Sequence, residues 1–249
     1  MSTAGLEMRG VNKGFDGNTV LHDISLFVRP GEFVSIVGPS GSGKSTILNL
    51  LTGALEPDGG EILFDGSPLI PGLHRFAFMP QRDALMPWRR VIDNTTLGLE
   101  VAGMSRSAAR DKVRPLLAEF GLNGFEFHYP AQLSGGMRQR AALLRTVVQG
   151  KPILLLDEPF GALDALTRTR MQRWLAEMWT RHRWTVLLIT HDVREATLLS
   201  DRVYVLSARP ARIDRTIQVP LTHPRPPTGS AALAAIESEI LQTLFNAEV

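Results

Sequence analysis

The sequence predicts an α/β fold: a largely parallel β-sheet covered on both faces, an antiparallel β flank and an inserted helical subdomain. Three observations predict it. Short apolar, β-rich runs alternate with longer helical patterns, and several of the runs, 153–156 above all, are continuously apolar, as strands covered on both faces must be. The first 30 residues and 61–65 hold shorter strand candidates broken by the turn signals Asp16-Gly17-Asn18, Pro30-Gly31 and Asp58-Gly59-Gly60, the marks of an antiparallel flank. Between about residues 86 and 148 the strand signal disappears.

Taken in order, the parallel strands fall at 33–37, 75–79, 153–156, 185–190 and 202–206. A helical stretch at 47–54 follows the first of them. In the insertion, 107–120 carries Val113, Leu116, Leu117 and Phe120 at helical spacing, and 139–148 is a second helix. Pro224, Pro226 and Pro227 mark a linker. Beyond it, Leu233, Ile236, Ile240, Leu241, Leu244 and Phe245 share one face of an amphipathic helix, a packing face with partner docking as the alternative. The division is therefore 1–85 with 149–222 as core and β flank, 86–148 as helical subdomain, and 223–249 as linker and C-terminal helix. No internal repeat is visible, so the chain is one unit and not a tandem pair.

Composition narrows the function. A chain of 249 residues can bury a large core without disulfides or a structural metal. Its 44% hydrophobic and 21% charged residues are ordinary for a globular protein and exclude disorder. The charge balance of 27 basic against 25 acidic residues leaves +2, too small an excess to point to nucleic acid, and no nucleic-acid partner is expected. With no cysteine, disulfide scaffolds, zinc ribbons, iron–sulfur clusters and thiol nucleophiles are ruled out. Apolar runs such as 153–156 fall far short of the ~18 to 20 residues of a spanning helix, and the first residues lack the pattern of a signal peptide. The expectation is a soluble chain that stays where it is made and reaches a membrane only by binding something in it.

The segment Gly38-Pro39-Ser40-Gly41-Ser42-Gly43-Lys44-Ser45-Thr46 follows a strand and opens a helix. This is the spacing of a phosphate-binding loop, in which glycines let backbone N–H groups wrap phosphate oxygens. The helix points its positive end at the anion, Lys44 reaches the β and γ phosphates, and Ser45 holds Mg²⁺. An ordinary Gly-rich loop would not explain the strand before and the helix after. The run Ile153-Leu154-Leu155-Leu156-Asp157-Glu158 ends a buried strand in two carboxylates. Ligands of a parallel sheet sit at the carboxyl ends of its strands, which places Asp157 to hold Mg²⁺ and Glu158 to polarise an attacking water as general base. Strand ends are often acidic for structural reasons, so the pair gains its meaning from the phosphate loop. A second Gly-rich turn, Leu133-Ser134-Gly135-Gly136-Met137-Arg138-Gln139-Arg140, enters a helix, either as a second anion site or as a capped helix start.

In this order and spacing, residues 5 to about 215 resemble the ATP-binding cassette (ABC) ATPases, whose core is a P-loop NTPase fold, and the second Gly-rich turn is similar to their signature sequence. The resemblance implies two cassettes stacked head to tail with ATP between them. Ser134, Gly135 and Gly136 of one would then face the phosphate loop of the other, so that a lone chain cannot complete its own site. It further implies that Gln81 touches Mg²⁺ and the attacking water, that His191 bonds the γ-phosphate, that Asp164 contacts the opposite cassette, and that Phe15 stacks on adenine. The catalytic set is then Lys44, Gln81, Glu158 and His191, and the metal set Ser45, Gln81 and Asp157, with ATP and Mg²⁺ bound.

The chain has no duplicated cassette, zinc finger, long inserted coiled coil or sizeable regulatory domain after residue 220. The resemblance therefore implies the ATPase subunit of an importer with separate permease chains, paired with a second cassette (a homodimer), served by a solute-binding protein and peripheral to the cytoplasmic face of the cell membrane. A non-transport ABC ATPase acting on nucleic acid or another machine is the alternative. The element Leu85-Met86-Pro87-Trp88, with 160–168 and 206–213, is similar to the nitrate, sulfonate and taurine importer ATPases, although Met79-Pro80 replaces the common apolar-Phe pair before Gln81. Trp88 either packs within the helical insertion or lines a groove for a permease helix.

Overall fold

Residues 5–70, 75–226 and 230–246 are described by the computed structural model of the chain. β1 (Leu6–Phe15) turns into β2 (Asn18–Val28) through Asp16 and Gly17, whose φ values of 48° and 79° give the two-residue turn that suits twisted antiparallel strands. At 10 and 11 residues these strands are far longer than the sequence predicts. The cause is a bulge. Pairing slips between Met8 and Val11, so Leu6, Met8 and Val11 all face the core although their spacing breaks the period of two. β4 (Gly59–Phe64) and β5 (Ser67–Pro68) extend this flank in the order β2-β1-β4-β5.

The central sheet runs β10-β9-β3-β8-β7-β6. β3 (Phe33–Val37), β6 (Phe76–Met79), β7 (Ile153–Asp157), β8 (Thr185–Thr190) and β9 (Arg202–Leu206) are parallel, in agreement with the five predicted strands. Their residues alternate between two cores. Phe33, Leu154, Leu156, Val186 and Leu188 join the helical side, whereas Val34, Ile36, Ile153, Leu155, Leu187 and Ile189 pack under the β flank. β10 (Ile213–Gln218) adds an antiparallel edge that the sequence does not announce, because Ile217 alone is buried in it and no apolar run results.

α1 (Lys44–Thr52) follows β3. The region between β6 and β7 is helical, as predicted: α2 (Val91–Thr95), α3 (Leu97–Val101), α4 (Arg106–Glu119) and α5 (Gly135–Val147). α5 begins four residues before the predicted start, since Ser134 caps it by accepting a bond from the Met137 N–H at 3.3 Å. Buried Asp93 anchors α4 to α2. Burial alone would raise its pKa, but Arg106 and Arg110, each 2.7 Å away, hold it below the usual carboxylate value. α6 (Ala165–His182) and α7 (Val193–Leu199) follow β7 and β8.

α8 (Ala231–Asn246) lies on α7, β9 and β10 through Leu233 and Ile240, with Ile236 and Leu244 half-buried. Leu241 and Phe245, predicted on the same stripe, are exposed, because the stripe is wider than the surface it covers. The proline segment is held by Arg225, which is buried and donates to the carbonyls of Thr197, Ser200, Val219 and Leu221 at 2.7 to 3.1 Å. Pro227 lies outside the described residues. Burial pulls the Arg225 pKa down to about 10, opposed by Asp201. Bonds to a charged donor contribute about 1.5–3 kcal/mol each and are not additive, so Arg225→Met is expected to destabilise the chain by roughly 3 kcal/mol. A fall in the urea midpoint at constant m would show it, and an unchanged midpoint would refute it.

Candidate functional site

The site is assembled where neighbouring parallel strands end. β3 leads into the phosphate loop, where Gly43, the residue before α1, sits at φ 107°, and a side chain there would lie 2.8 Å from Leu21 of β2. Only glycine satisfies both the left-handed backbone and the close approach. No side chain caps α1, so the N–H groups of its first turn have no side-chain acceptor and are available to an anion. Lys44 folds back over the loop, donating to the carbonyls of Gly38 at 2.8 Å and Pro39 at 2.7 Å. Burial lowers its pKa, while Glu158 and Asp157 oppose the shift. The Ser42 hydroxyl is buried with no bonding partner, the mark of a group awaiting one.

β7 delivers the two carboxylates. Glu158 holds a left-handed φ of 42°, its N–H bonded to the Ile189 carbonyl at 2.8 Å, and this sharp turn aims its side chain across the strand ends. Gln81, beyond β6, donates to Glu158 Oε2 at 2.9 Å, and His191 Nδ1, beyond β8, lies 3.1 Å from Glu158 Oε1. Gln81, Glu158 and His191, far apart in sequence, thus meet because β6, β7 and β8 are adjacent. Burial and then the Glu158 charge raise the Asp157 pKa, against the pull of Lys44. Asp157 and the exposed hydroxyl of Ser45 supply oxygen donors of the kind a hard divalent cation takes.

Ser134, Gly135, Gly136 and Asp164 gather in a second place. A side chain at Gly135 or Gly136 would approach Leu163 or Thr167 to 3.1 Å, so the start of α5 is pressed on the start of α6. Asp164 caps α6, accepting from the Thr167 N–H at 3.0 Å, which holds its carboxyl below the ordinary value. Phe15 stands exposed at the β1–β2 turn, with Lys13 Nζ 5.5 Å from its ring centre. Val20 and Leu21, further along β2, carry this hairpin to Gly43.

The structure gives contacts to residues of α5 that the sequence left without a role. Gln139 of α5 donates to the Pro159 carbonyl, directly after Glu158. Arg138 lies 3.2 Å from Asp83, and Arg145 donates to the carbonyls of Asp83 at 2.6 Å and Ala84 at 2.7 Å. The helix carrying the second Gly-rich turn therefore grips both loops that hold Gln81 and Glu158. Arg138 and Arg145 are seven residues apart, on one face of a helix, and this spacing was the available signal.

A phosphate loop on β3, with paired carboxylates on β7 and polar side chains from β6 and β8, defines a nucleotide-binding ATPase. Residues 21–161 match the family model described as ABC transporter, and the chain belongs to that family. It is 44% identical over 244 residues to the aliphatic sulfonates import ATP-binding protein SsuB 1 of Rhodococcus jostii (strain RHA1), covering 98% of this chain and 95% of that one. It is 43% identical over 241 residues to the aliphatic sulfonates import ATP-binding protein SsuB of Shigella flexneri serotype 5b (strain 8401), covering 97% and 91%. Among solved structures, a dimeric bacterial ABC transporter cassette matches with a TM-score of 0.74 at 30% identity, over 87% of this chain and 100% of that one.

Proposed function

We propose that the chain is the ATP-hydrolysing subunit of an importer for a small sulfonate-like organic anion. It works as a pair of cassettes bound to permease chains at the cytoplasmic face of the membrane, with a solute-binding protein supplying the cargo. The observation that carries the ATPase reading is Glu158 bracketed by Gln81 and His191 at the strand ends that also present Lys44 and Asp157. The import reading is supported by relatives named for aliphatic sulfonate import. Among the described residues no helix is long and apolar enough to cross a membrane.

On this reading ATP and water give ADP and phosphate. When nucleotide enters, Lys44 exchanges the Gly38 and Pro39 carbonyls for β- and γ-phosphate oxygens, and the backbone of residues 38–46 wraps the phosphates. Glu158 accepts the proton of the attacking water, oriented with Gln81, while His191 turns its free nitrogen to the γ-phosphate. Ser45, Gln81 and Asp157 would hold Mg²⁺, whose charge offsets that of the phosphate oxygens. Phe15 stacks on adenine. Ser134, Gly135, Gly136 and Asp164 complete the site of the second cassette, adding a helix N-terminus to the γ-phosphate. The test is reconstitution with the co-purifying permease and uptake of aliphatic sulfonates. ATP-dependent uptake is expected, whereas salt-sensitive binding to DNA or RNA without a membrane partner would overturn the proposal.

Trp88 separates coupling from chemistry. It is 73% exposed, so it does not pack inside the helical insertion. An exposed aromatic beside the Gln81 loop suits a permease helix. Trp88→Ala is expected to lower uptake by about tenfold, the effect of losing one interface anchor of roughly 1.4 kcal/mol or more, while nucleotide affinity is unchanged. Wild-type uptake in the variant would refute it.

A further inference from the structure

Beneath His191 lies a closed ring of three hydrogen bonds. The Asp192 N–H donates to Thr190 Oγ1 at 3.0 Å, Thr190 Oγ1 donates to Glu195 Oε2 at 3.0 Å, and the Glu195 N–H donates to Asp192 Oδ1 at 3.1 Å. His191 is the residue between the first two members, so the ring sets the direction in which it leaves β8. Glu195 is 3% exposed, and its other oxygen, Oε1, is buried with no bonding partner. A buried carboxylate so poorly solvated is costly unless it is neutral or paired. Among the described residues no cation is paired with it: Arg168 of α6 lies 3.8 Å from Asp192 instead, with its own Nε buried and unbonded. We propose that Glu195 is a positioning residue for hydrolysis, its carboxyl locking Thr190 and Asp192 so that His191 is held against Glu158. This rests on the role given to His191 above.

The charged groups around Glu195 are Asp192 of its own turn, Arg168 from α6 and Glu158 from the end of β7. α8 presents Glu237, bonded to Thr197, and β3 meets α7 with apolar Val37. Burial first, then Asp192, pushes the Glu195 carboxyl up to about 8, against the bond from Thr190. At neutral pH it is therefore a neutral acid, and glutamine is its isostere. Ionisation would set a third negative charge beside Asp192 and Glu158, repelling the Asp192 carboxylate that closes the ring even as the bond accepted from Thr190 strengthens.

The experiment compares ATP hydrolysis by the full-length chain with that of Glu195→Gln, Glu195→Ala, Thr190→Val and His191→Ala, with thermal melting as a check on folding. Glu195→Gln should keep kcat within about twofold, whereas Glu195→Ala and Thr190→Val should lose about tenfold in kcat with KM for ATP nearly unchanged. The parent should lose kcat as pH rises through about 8, and Glu195→Gln should not. Equal losses in the Gln and Ala variants, or parallel pH profiles for parent and Gln variant, overturn the proposal. Full kcat in Thr190→Val does so too, and decides the matter even if Glu195→Ala fails to fold. Turnover retained in His191→Ala would overturn the His191 role itself. Turnover lost there but kept in Thr190→Val overturns the Glu195 proposal alone.

Discussion

Replacing Glu158 by glutamine is expected to leave ATP binding intact and to slow hydrolysis by about 10²–10⁴-fold, the range for loss of a positioned general base. The amide has the shape of the carboxylate and can still accept the bond that Gln81 donates at 2.9 Å, so the loop around φ 42° has no reason to move. What disappears is basicity. The variant also removes one negative charge facing the site, which favours the triphosphate. Both effects trap the nucleotide-bound state, so ATP should convert the variant into a long-lived dimer. Gel filtration with ATP and single-turnover phosphate release measure the two halves of this. Turnover within a few-fold of the parent would remove Glu158 as the base and leave it as a structural strand end.

Lys44→Ala should act at the earlier step. Two charge-assisted bonds to phosphate oxygens, at about 1.5–3 kcal/mol each, correspond to a fall in ATP affinity of roughly 100-fold or more. Without nucleotide the same ammonium spans the Gly38 and Pro39 carbonyls at 2.8 and 2.7 Å, so the loop loses that brace too. The buried lysine carries a desolvation cost of its own, evident in its lowered pKa, which partly offsets the loss in the nucleotide-free chain. Affinity should therefore suffer more than stability. Titration with a fluorescent ATP analogue beside a melting curve separates the two, and retained ATP-dependent dimerisation would count against the assignment.

The two predictions concern groups whose legibility differs little, because both lie in contiguous motifs. Lys44 follows its glycines and Glu158 ends its own apolar strand, so the residues and the reason for them are read within a few positions. Gln81 and His191 are different. Each is a single polar residue after a strand, chemically unremarkable alone, and only family resemblance singled them out before the strand order β3-β8-β7-β6 put them on one carboxylate. Arg138, Gln139 and Arg145 share a helix face, yet their targets, Asp83, Ala84 and Pro159, are reached across the fold. Glu195 and Arg225 carry no local signal. Each is a charged side chain whose burial depends on elements distant in sequence.

By itself the sequence determined the nucleotide chemistry, the five parallel strands and the helical insertion, because phosphate loops, buried strands and helix faces are written in short-range spacing. The bulge in β1, the edge strand β10, the exposure of Trp88 and the ring beneath His191 were decided by tertiary structure alone. Their cause is which surfaces meet and which groups lose water. That is a property of the packed chain, since burial and hydrogen-bond partners are set by residues far apart in sequence, as Glu32 and Arg202, 170 positions apart, show.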